Sequence, residues 1–417
     1  MIQTWIGLLL ALVALLGLSQ RNLYLAMFAA GGLLGLLTLP LGEFGLLVAE
    51  VFRDPGVLLL AAVVAIIPLI GGGLERSGQM DELVRNLRIG RRAFLAFSPA
   101  LLGMLPMPGG ALLSAPLVER GGGGLDGPTK VAVNVWFRHI LYLVYPLGPA
   151  LIASAKVAGL EVYWVIPYLF PSFLLSAFLG WWFLLRRIDG PDRAEAGGGS
   201  ASSAGVRTRY EGAFSLKGLF TPIGIILAAP VIDLLLKGLP GWLGLGSWRV
   251  GELGTLIGVS TSLLLVAVLG RLGPGELGRI GRKMGIWRFA LIILGMFFFL
   301  GVFQRSGAPE LLANLALPPA VLCVAVGFLL GLVTGRIQAP AAIIIPVLAA
   351  SGGTITPAVF AVIFYSTFLG YVLTPVHPCI SVSAEYFRAS IAGFLRKLAL
   401  PTALALLVTG VAAIFIC

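Results

Sequence analysis

The chain has 417 residues, of which 58 % are hydrophobic and only 11 % are charged, and its mean hydropathy is +1.00. A soluble domain carries about 25 % charged residues, so this composition excludes an ordinary soluble protein. Apolar stretches of about 20 residues, long enough to cross a bilayer core of roughly 30 Å, recur from end to end. The net charge of +11 comes from basic residues in short segments between these stretches, which argues against nucleic-acid binding and indicates a lipid bilayer as the environment.

Apolar length, together with the prolines, glycines and charges between the apolar stretches, predicts the helices of the first half. The N-terminal stretch has no basic segment, so we predict a first membrane span and not a cleaved signal peptide. After these helices, the polar residues 188–216 are rich in Gly and Ser and indicate a flexible linker. The predicted spans lie near 2–19, 22–39, 56–73, 129–155 and 162–187, with an interrupted apolar segment at about 94–120 before the last two.

The second half has the same order of elements, which indicates an internal repeat. An offset of 229 residues aligns Arg76–Gly78 with Arg305–Gly307 and Pro149 with Pro378. We therefore predict an all-α polytopic membrane protein whose two repeats each contain five transmembrane helices and one interrupted segment. The repeats span 1–187 and 217–417, and the spans of the second lie near 217–237, 250–271, 285–304, 356–385 and 390–416, with an interrupted segment at about 317–350.

The charge of the segments between spans predicts the side of the membrane on which each lies. Segments 74–92 and 271–283 are mostly basic, whereas 40–55, treated as a loop, carries three acidic residues and one Arg. Basic segments favour the cytoplasm, so we predict a cytoplasmic linker and extracytoplasmic termini in the inner membrane of a cell. This topology requires each interrupted segment to enter and leave on the same side, which makes the two repeats inverted.

Residues 101–118, LLGMLPMPGGALLSAPLV, place Pro and Gly inside an apolar stretch. A break at that depth is tolerated only inside protein or beside a cavity, because the freed backbone finds no water in hydrocarbon. We predict a re-entrant helical hairpin here and another at 331–348, GLVTGRIQAPAAIIIPVL, each with free N–H groups at its tip that suit a carboxylate. A proline-kinked ordinary span is the alternative. The predicted substrate-binding residues are Pro106, Met107, Pro108, Gly109, Gly110, Ser114, Asn134, Arg336, Gln338, Ala339 and Pro340.

Each hairpin is followed by a span that two prolines interrupt, Pro146 and Pro149 in the first repeat. Proline inside a helix frees carbonyl groups one turn earlier, and such carbonyls beside hydroxyl groups suit a small cation. The two histidines lie on these spans, and histidine titrates near neutral pH, although a neutral structural histidine is an equal alternative. The residues predicted for ion coupling or a proton relay are His139, Tyr142, Tyr145, Pro146, Thr374, Pro375, His377 and Ser381.

Ionisable residues inside membrane spans are costly and are therefore candidates for function. Arg336 is the strongest of them, because a guanidinium at a hairpin tip could bind a carboxylate through two hydrogen bonds. The alternative is that its side chain extends to the membrane surface. The pattern predicts an interfacial role for Asp233 and anchoring roles for Lys156 and Glu385. The three cysteines lack the spacing of metal ligands, which predicts small buried residues and no metal site: Cys323, Cys379 and Cys417.

At the first hairpin and the span after it, PMPGGALLSAPLV and NVWFRHILYLVYPLGP, the chain resembles the membrane proteins of the domain-of-unknown-function 401 (DUF401) family. The resemblance covers nearly the whole chain. That family is grouped in the ion transporter superfamily with gluconate permeases and divalent-anion/sodium symporters. The resemblance implies an inverted repeat with two re-entrant hairpins, a homodimer and an elevator movement. The anion/sodium symporters carry Ser-Asn-Thr at both tips, and this chain does not, so sodium coupling and a preference for dicarboxylates do not follow.

These features favour a secondary active transporter of a small organic (carboxylate) anion, coupled to protons or sodium. A passive channel is the first alternative, because the same helices could line a pore. A membrane-embedded enzyme is less favoured, since the sequence has no HExxH motif and no paired intramembrane aspartates; no GxxxxGK[ST] loop supports a nucleotide-driven pump. We expect no cofactor other than a coupling sodium ion or proton.

Overall fold

Twenty helices make up the described part of the chain, which contains no strand. The structure is a computed structural model, and it describes residues 2–19, 21–104, 110–188, 214–242, 251–375 and 377–417. Most of the predicted linker, and the first hairpin tip with Pro106, Met107, Pro108 and Gly109, lie outside the described residues.

The first ten helices belong to the first half of the chain. Asp54 and Asp126 stabilise two of their N-termini, because each carboxylate accepts a hydrogen bond from a backbone N–H in the first turn. The helices are α1 Ile2–Ser19, α2 Leu23–Thr38, α3 Leu41–Arg53, α4 Pro55–Arg76, α5 Gln79–Arg85, α6 Arg91–Gly103, α7 Gly110–Gly121, α8 Gly127–Ile140, α9 Pro149–Val157 and α10 Val162–Gly180, which continues as a π-helical turn, Trp181–Leu185.

The other ten helices form the second half. Thr356 and Ser390 cap the N-termini of two of them through their hydroxyl groups. The helices are α11 Leu216–Trp242, α12 Gly251–Leu269, α13 Pro274–Met284, α14 Ile286–Arg305, α15 Ala308–Ala313, α16 Pro319–Thr334 with a π-helical turn at Leu322–Val326, α17 Gln338–Ala350, α18 Pro357–Leu373, α19 Pro378–Tyr386 and α20 Ile391–Ile416.

The helix bounds repeat along the chain. Helices α5, α9 and α10 begin at residues 79, 149 and 162, and α15, α19 and α20 begin at residues 308, 378 and 391, so that each pair lies 229 residues apart. Gly78 and Gly307, also 229 apart, both have a left-handed backbone, with φ of 74° and 72°. The α1–α10 order therefore recurs as α11–α20, including the turns that only glycine adopts easily.

Seven helical segments in the described part are long and apolar enough to cross a bilayer. The first two helices of the chain are apolar but slightly shorter. The prediction of an all-α polytopic membrane protein is confirmed. The seven segments are Pro55–Arg76, Val162–Leu185, Leu216–Lys237, Glu252–Leu269, Ile286–Arg305, Pro357–Tyr386 and Ile391–Ile416.

Helix packing divides the described residues into two bundles, each built from both halves of the chain. The frame bundle consists of α1–α5 and α11–α15, and the hairpin bundle consists of α6–α10 and α16–α20. In the frame bundle α2 packs on α14, and its repeat counterpart α12 packs on α4. In the hairpin bundle α10 packs on α18, and its counterpart α20 packs on α8. Exchange of the two repeats therefore preserves the packing within each bundle, which is the pattern of a pseudo-twofold axis.

The hairpins pack against the broken helices through glycine. A Cβ atom on Gly103 of α6 would lie 1.8 Å from the Arg138 carbonyl oxygen of α8. In the other repeat, a Cβ atom on Gly331 of α16 would lie 2.3 Å from the Thr367 carbonyl oxygen of α18. Arg138 and Thr367 are 229 residues apart, so the same backbone approach occurs in both repeats. Only glycine permits this approach, because any side chain would meet a backbone atom.

Both spans predicted to be broken are interrupted in the structure. Helix α8 ends at Ile140, a 3₁₀ turn covers Leu141–Leu143, and α9 begins at Pro149. Helix α18 ends at Leu373, and α19 begins at Pro378. In each case the new helix begins at a proline, whose fixed φ and missing N–H suit the first helical position.

Two segments predicted as loops are helices instead. Residues 40–55 contain α3, and residues 271–283 contain most of α13. Both helices are amphipathic, and charge alone does not reveal a helix whose polar side faces outward.

We predict that Gly331→Ala lowers the thermal unfolding midpoint of the purified protein. The new methyl group would overlap a backbone carbonyl, which cannot move without separating α16 from α18, and such overpacking costs about 1–3 kcal/mol. Gly32→Ala in α2 is the matched control, because a Cβ atom there meets nothing within 4 Å. It should leave the midpoint unchanged or raise it. Equal midpoints for both variants would contradict the close approach.

Candidate functional site

The candidate site lies where the ends of the hairpin arms meet the two broken helices. Arm α7 packs on α8 and on α19, and arm α17 packs on α18 and on α9, so that each hairpin touches the broken helices of both repeats. This arrangement brings residues from distant parts of the sequence together within the hairpin bundle.

Arg138 of α8 lies inside the protein and faces the first hairpin. Its side chain is only 2 % exposed, and its Nη1 donates a hydrogen bond to the Ser114 hydroxyl, 3.3 Å away. A Cβ atom on Gly110 would lie 2.1 Å from Nη2, so this glycine leaves the space that the guanidinium occupies. Its buried Nε has no hydrogen-bond partner among the described residues.

Arg336 lies at the tip of the second hairpin, between α16 and α17. Its backbone is fixed by Thr334, whose hydroxyl accepts from the Arg336 N–H at 3.3 Å and also contacts the Arg336 carbonyl at 3.2 Å. The neighbouring Gly335 has φ of 61°, a turn conformation that favours glycine. The half-buried guanidinium forms no ion pair with a described residue.

Neither guanidinium has a carboxylate partner in the described part of the chain. Asp233 is the one buried carboxylate there, and its hydrogen-bond partners are Tyr163, Thr255 and Lys237. The site therefore holds two positive charges without a compensating negative charge from these residues. A buried charge of this kind is costly unless an anion pairs with it.

The two histidines of the chain lie in contact at this site. The Nε2 atoms of His139 and His377 are 3.2 Å apart, and both side chains are buried. The Nδ1 of His139 lies 2.6 Å from the Val135 carbonyl oxygen. Tyr142 and Tyr371 place their rings edge-on against His139, with centroids 5.2 and 5.3 Å from it.

Cys379 lies beside the histidine pair. Its sulfur and the ring nitrogens of His139 and His377 are within 4.8 Å of one another. Imidazole and thiolate groups suit soft transition metals, but Arg138 and Arg336 both act electrostatically on this thiol. A divalent cation here would face two guanidinium groups. The charge balance of the site favours an anion instead.

Asn134 joins the two repeats. Its Nδ2 donates to the Ser383 hydroxyl of α19 at 2.9 Å and to the Ala111 carbonyl of α7 at 3.3 Å. All three side chains are buried. Ser381, the serine of α19 predicted for ion coupling, is exposed.

The remaining predicted site residues occupy different surroundings. Gln338, Ala339 and Pro340 form the first turn of α17, the latter two buried, next to Arg336. Thr374 is buried at the break after α18, whereas Pro375 is exposed. Tyr145 is buried, and Pro146 lines a separate cavity of about 180 Å³ at the junction of the two bundles.

That cavity contains the clearest correction to the charge-based predictions. Asp233 was predicted to be interfacial, yet it is 2 % exposed and accepts hydrogen bonds from Tyr163 at 2.9 Å and Thr255 at 3.0 Å. Lys156, predicted as an anchor, forms an ion pair with Glu252 of the frame bundle. Tyr163 of the hairpin bundle covers Asp233, which hydropathy along one helix cannot show.

Sequence reasoning gave no role to three residues of the site. These residues are Arg138, Ser383 and Cys379, the last of which was predicted only to be a small buried residue. The signal that could have found Arg138 is its position mid-way along an apolar span, where an uncompensated Arg is rare. Nothing local distinguishes Ser383 from Ser381.

Fold and site together define a polytopic membrane protein with a buried, electropositive centre. The chain belongs to the family described as "Protein of unknown function (DUF401)", whose model matches residues 4–193 and 253–416. The family named from the hairpin residues is therefore confirmed, while a relation to gluconate permeases stays a prediction. No curated protein matches the chain.

Two solved structures share the fold over most of the chain. The Alcanivorax borkumensis YdaH transporter aligns with a TM-score of 0.61 at 16 % identity, over 99 % of this chain and 98 % of its own. Neisseria gonorrhoeae MtrF, described among a class of antimetabolite efflux pumps, aligns with a TM-score of 0.52 at 12 % identity. That alignment covers 89 % of this chain and 83 % of MtrF. At these identities the likeness shows the fold.

We predict that Ser383→Ala lowers the thermal unfolding midpoint, because the Asn134 amide loses a buried partner that joins the two repeats. Loss of such a hydrogen bond costs about 1 kcal/mol. Ser381→Ala, two residues away on the same helix but exposed, should have no measurable effect. Thermal unfolding in one detergent would compare the variants, and equal shifts would contradict the assigned contact.

Proposed function

We propose that the protein is a secondary active transporter of a small organic anion that carries a carboxylate. The observation that carries this proposal is the pair of guanidinium groups, Arg138 and Arg336, which lie at the hairpins without a carboxylate partner among the described residues. Transport is driven by a gradient of protons or sodium.

The chemistry of the two arginines supports an anionic substrate. Guanidinium binds a carboxylate through two parallel N–H···O bonds, and it stays charged inside a protein. A bound anion would offset the cost of burying these charges, so the empty and loaded sites differ most strongly in electrostatic energy. The first turn of α17 adds backbone N–H groups at the positive end of a helix dipole.

The repeated architecture supports alternating access. We infer that the two repeats are inverted in the membrane and that the hairpin bundle moves as a unit against the frame bundle. The packing between the bundles is unequal: α17 packs on α14 and α15, whereas its counterpart α7 makes no comparable contact with α4 and α5 in the described part of the chain. An elevator movement that exchanges these contacts would open the site to the other side.

The comparisons are consistent with this function. The two structural neighbours are named as a transporter and as a member of a class of efflux pumps. Export and import are the two directions of the same carrier, and the driving gradient decides between them. The predicted homodimer is retained as part of the proposal.

A ligand screen tests the proposal directly. Purified protein is heated with lactate, succinate, citrate or glutamate at pH 5.5 and 7.5, with sodium or potassium as the cation. A ligand at 100 times its Kd stabilises the native state by about 2.7 kcal/mol, so at least one acid should raise the midpoint. The acid with the largest shift is then used for counterflow in proteoliposomes. Counterflow requires a carrier and is absent from a channel.

We predict that Arg138→Gln and Arg336→Gln each weaken binding of that acid at least tenfold. Hydrogen bonds to charged groups contribute about 1.5–3 kcal/mol, and 1.4 kcal/mol corresponds to a factor of ten. The lysine variants should be intermediate, because lysine keeps the charge but loses the two-pronged geometry. Arg282→Gln, an exposed arginine of α13, is the control and should bind normally. Normal affinity in both glutamine variants would remove the arginines from the site.

We predict that two cysteines lie on opposite sides of the membrane when each is introduced into a variant that lacks the three native cysteines. Ser200→Cys, in the predicted linker, should be labelled by a membrane-impermeant maleimide only from the cytoplasm. Thr354→Cys, exposed between α17 and α18, should be labelled only from outside. Thr354 is used because Gly352, two residues earlier, has a left-handed backbone that favours glycine. Labelling of both from one side would rule out inverted repeats.

A further inference from the structure

The contact between His139 and His377 fixes where their protons lie. A carbonyl oxygen only accepts hydrogen bonds, so the His139 Nδ1 beside the Val135 carbonyl must carry a proton. A neutral His139 then presents a lone pair at Nε2. Because the two Nε2 atoms are 3.2 Å apart, His377 must donate from its own Nε2. These proton positions are assigned from the hydrogen-bond network.

One basic nitrogen remains in the pair, the Nδ1 of His377. This atom is buried and has no hydrogen-bond partner among the described residues, and its residue is only 5 % exposed. A proton added there would make His377 an imidazolium and would leave both existing hydrogen bonds intact. The pair is therefore built to bind one proton, although it contains two histidines.

Charged and titratable side chains from several elements lie around the histidine pair. Arg138 lies next to His139 on α8, Arg336 at the second hairpin tip, and Cys379 in the first turn of α19. The tyrosines of the two repeats, Tyr142 and Tyr371, lie against the rings. No carboxylate of the described residues is among them. A proton on His377 would therefore be a third positive charge beside two guanidinium groups.

We propose that His377 Nδ1 binds the coupling proton of the transporter. The substrate anion binds the neighbouring Arg138 and Arg336, and the proton and the anion bind cooperatively. This proposal rests on the proposed function and names its coupling ion. Without the anion, repulsion from Arg138 and Arg336 opposes the proton. With the anion in place that repulsion is offset, so each ligand favours the other, and linkage makes the effect reciprocal. The loaded species then carries one proton with one anion, which is symport.

The test uses the fact that the chain has only two histidines. Full-length protein labelled with ¹⁵N-histidine in lipid nanodiscs shows two imidazole rings, and their nitrogen shifts report protonation between pH 4.5 and 9. We expect His139 to stay protonated at Nδ1 and neutral throughout, and His377 to take up one proton. One acid raises the thermal unfolding midpoint most in the four-acid screen. That acid should raise the pH midpoint of the His377 titration by about one unit, which corresponds to a tenfold coupling.

His377→Gln is the informative variant, because glutamine keeps an N–H donor for His139 but does not titrate. It should fold, show no histidine transition, and bind the acid with an affinity that changes with pH only through ionisation of the acid itself. In proteoliposomes its uptake should no longer respond to a pH gradient. Arg282→Gln, the exposed control of α13, should keep the transition.

Each outcome decides a separate point. Absence of a His377 transition in the wild type, or a transition that persists in His377→Gln, overturns the proton site. The coupling is overturned if an acid that binds leaves the pH midpoint of the His377 transition unchanged. Transport driven by sodium alone also overturns it. If none of the four acids raises the thermal midpoint, the proposed function fails instead, while the titration without acid still tests His377.

Discussion

The structure depends on the close approach of each hairpin to the broken helix that follows it. Gly103 lies against the Arg138 carbonyl and Gly331 against the Thr367 carbonyl, at distances that exclude any side chain. Because non-helical backbone inside a bilayer must be enclosed by protein, each break is tolerable only where another helix covers it. The two glycines allow each hairpin to approach the broken helix closely enough to cover it. The two hairpins and the two breaks therefore enclose one centre.

This enclosure explains why the centre is electropositive. Helix α8 lies at backbone distance from Gly103, and Gly110 leaves the space that the Arg138 guanidinium occupies. Burial of a guanidinium without a carboxylate costs stability. An anion bound beside this guanidinium, as we propose, would offset that cost. On that proposal, anion binding and the stability of the fold depend on the same charge.

The sequence predicts the secondary elements well, because apolar length and prolines are local signals. The breaks at Pro149 and Pro378, and the repeat that relates them, were predictable for that reason. Contacts between bundles were not. Nothing near Asp233 in the sequence shows that Tyr163 covers it, and nothing separates the buried Ser383 from the exposed Ser381. Such contacts arise from the arrangement of helices 70 to 250 residues apart, which one sequence does not specify.

The repeat determines the geometry of the centre. The aligned positions at which the two repeats carry different residues determine its chemistry. An offset of 229 places Tyr142 on Tyr371, and both rings flank the single His139, which therefore lies near the pseudo-twofold axis. The same offset places the reactive residues on inert partners: Arg138 on Thr367, His139 on Phe368, Arg336 on Met107 and His377 on Gly148. A symmetric centre would hold two equivalent sites with competing charges. Because each of these side chains occurs once, the two repeats together form a single site.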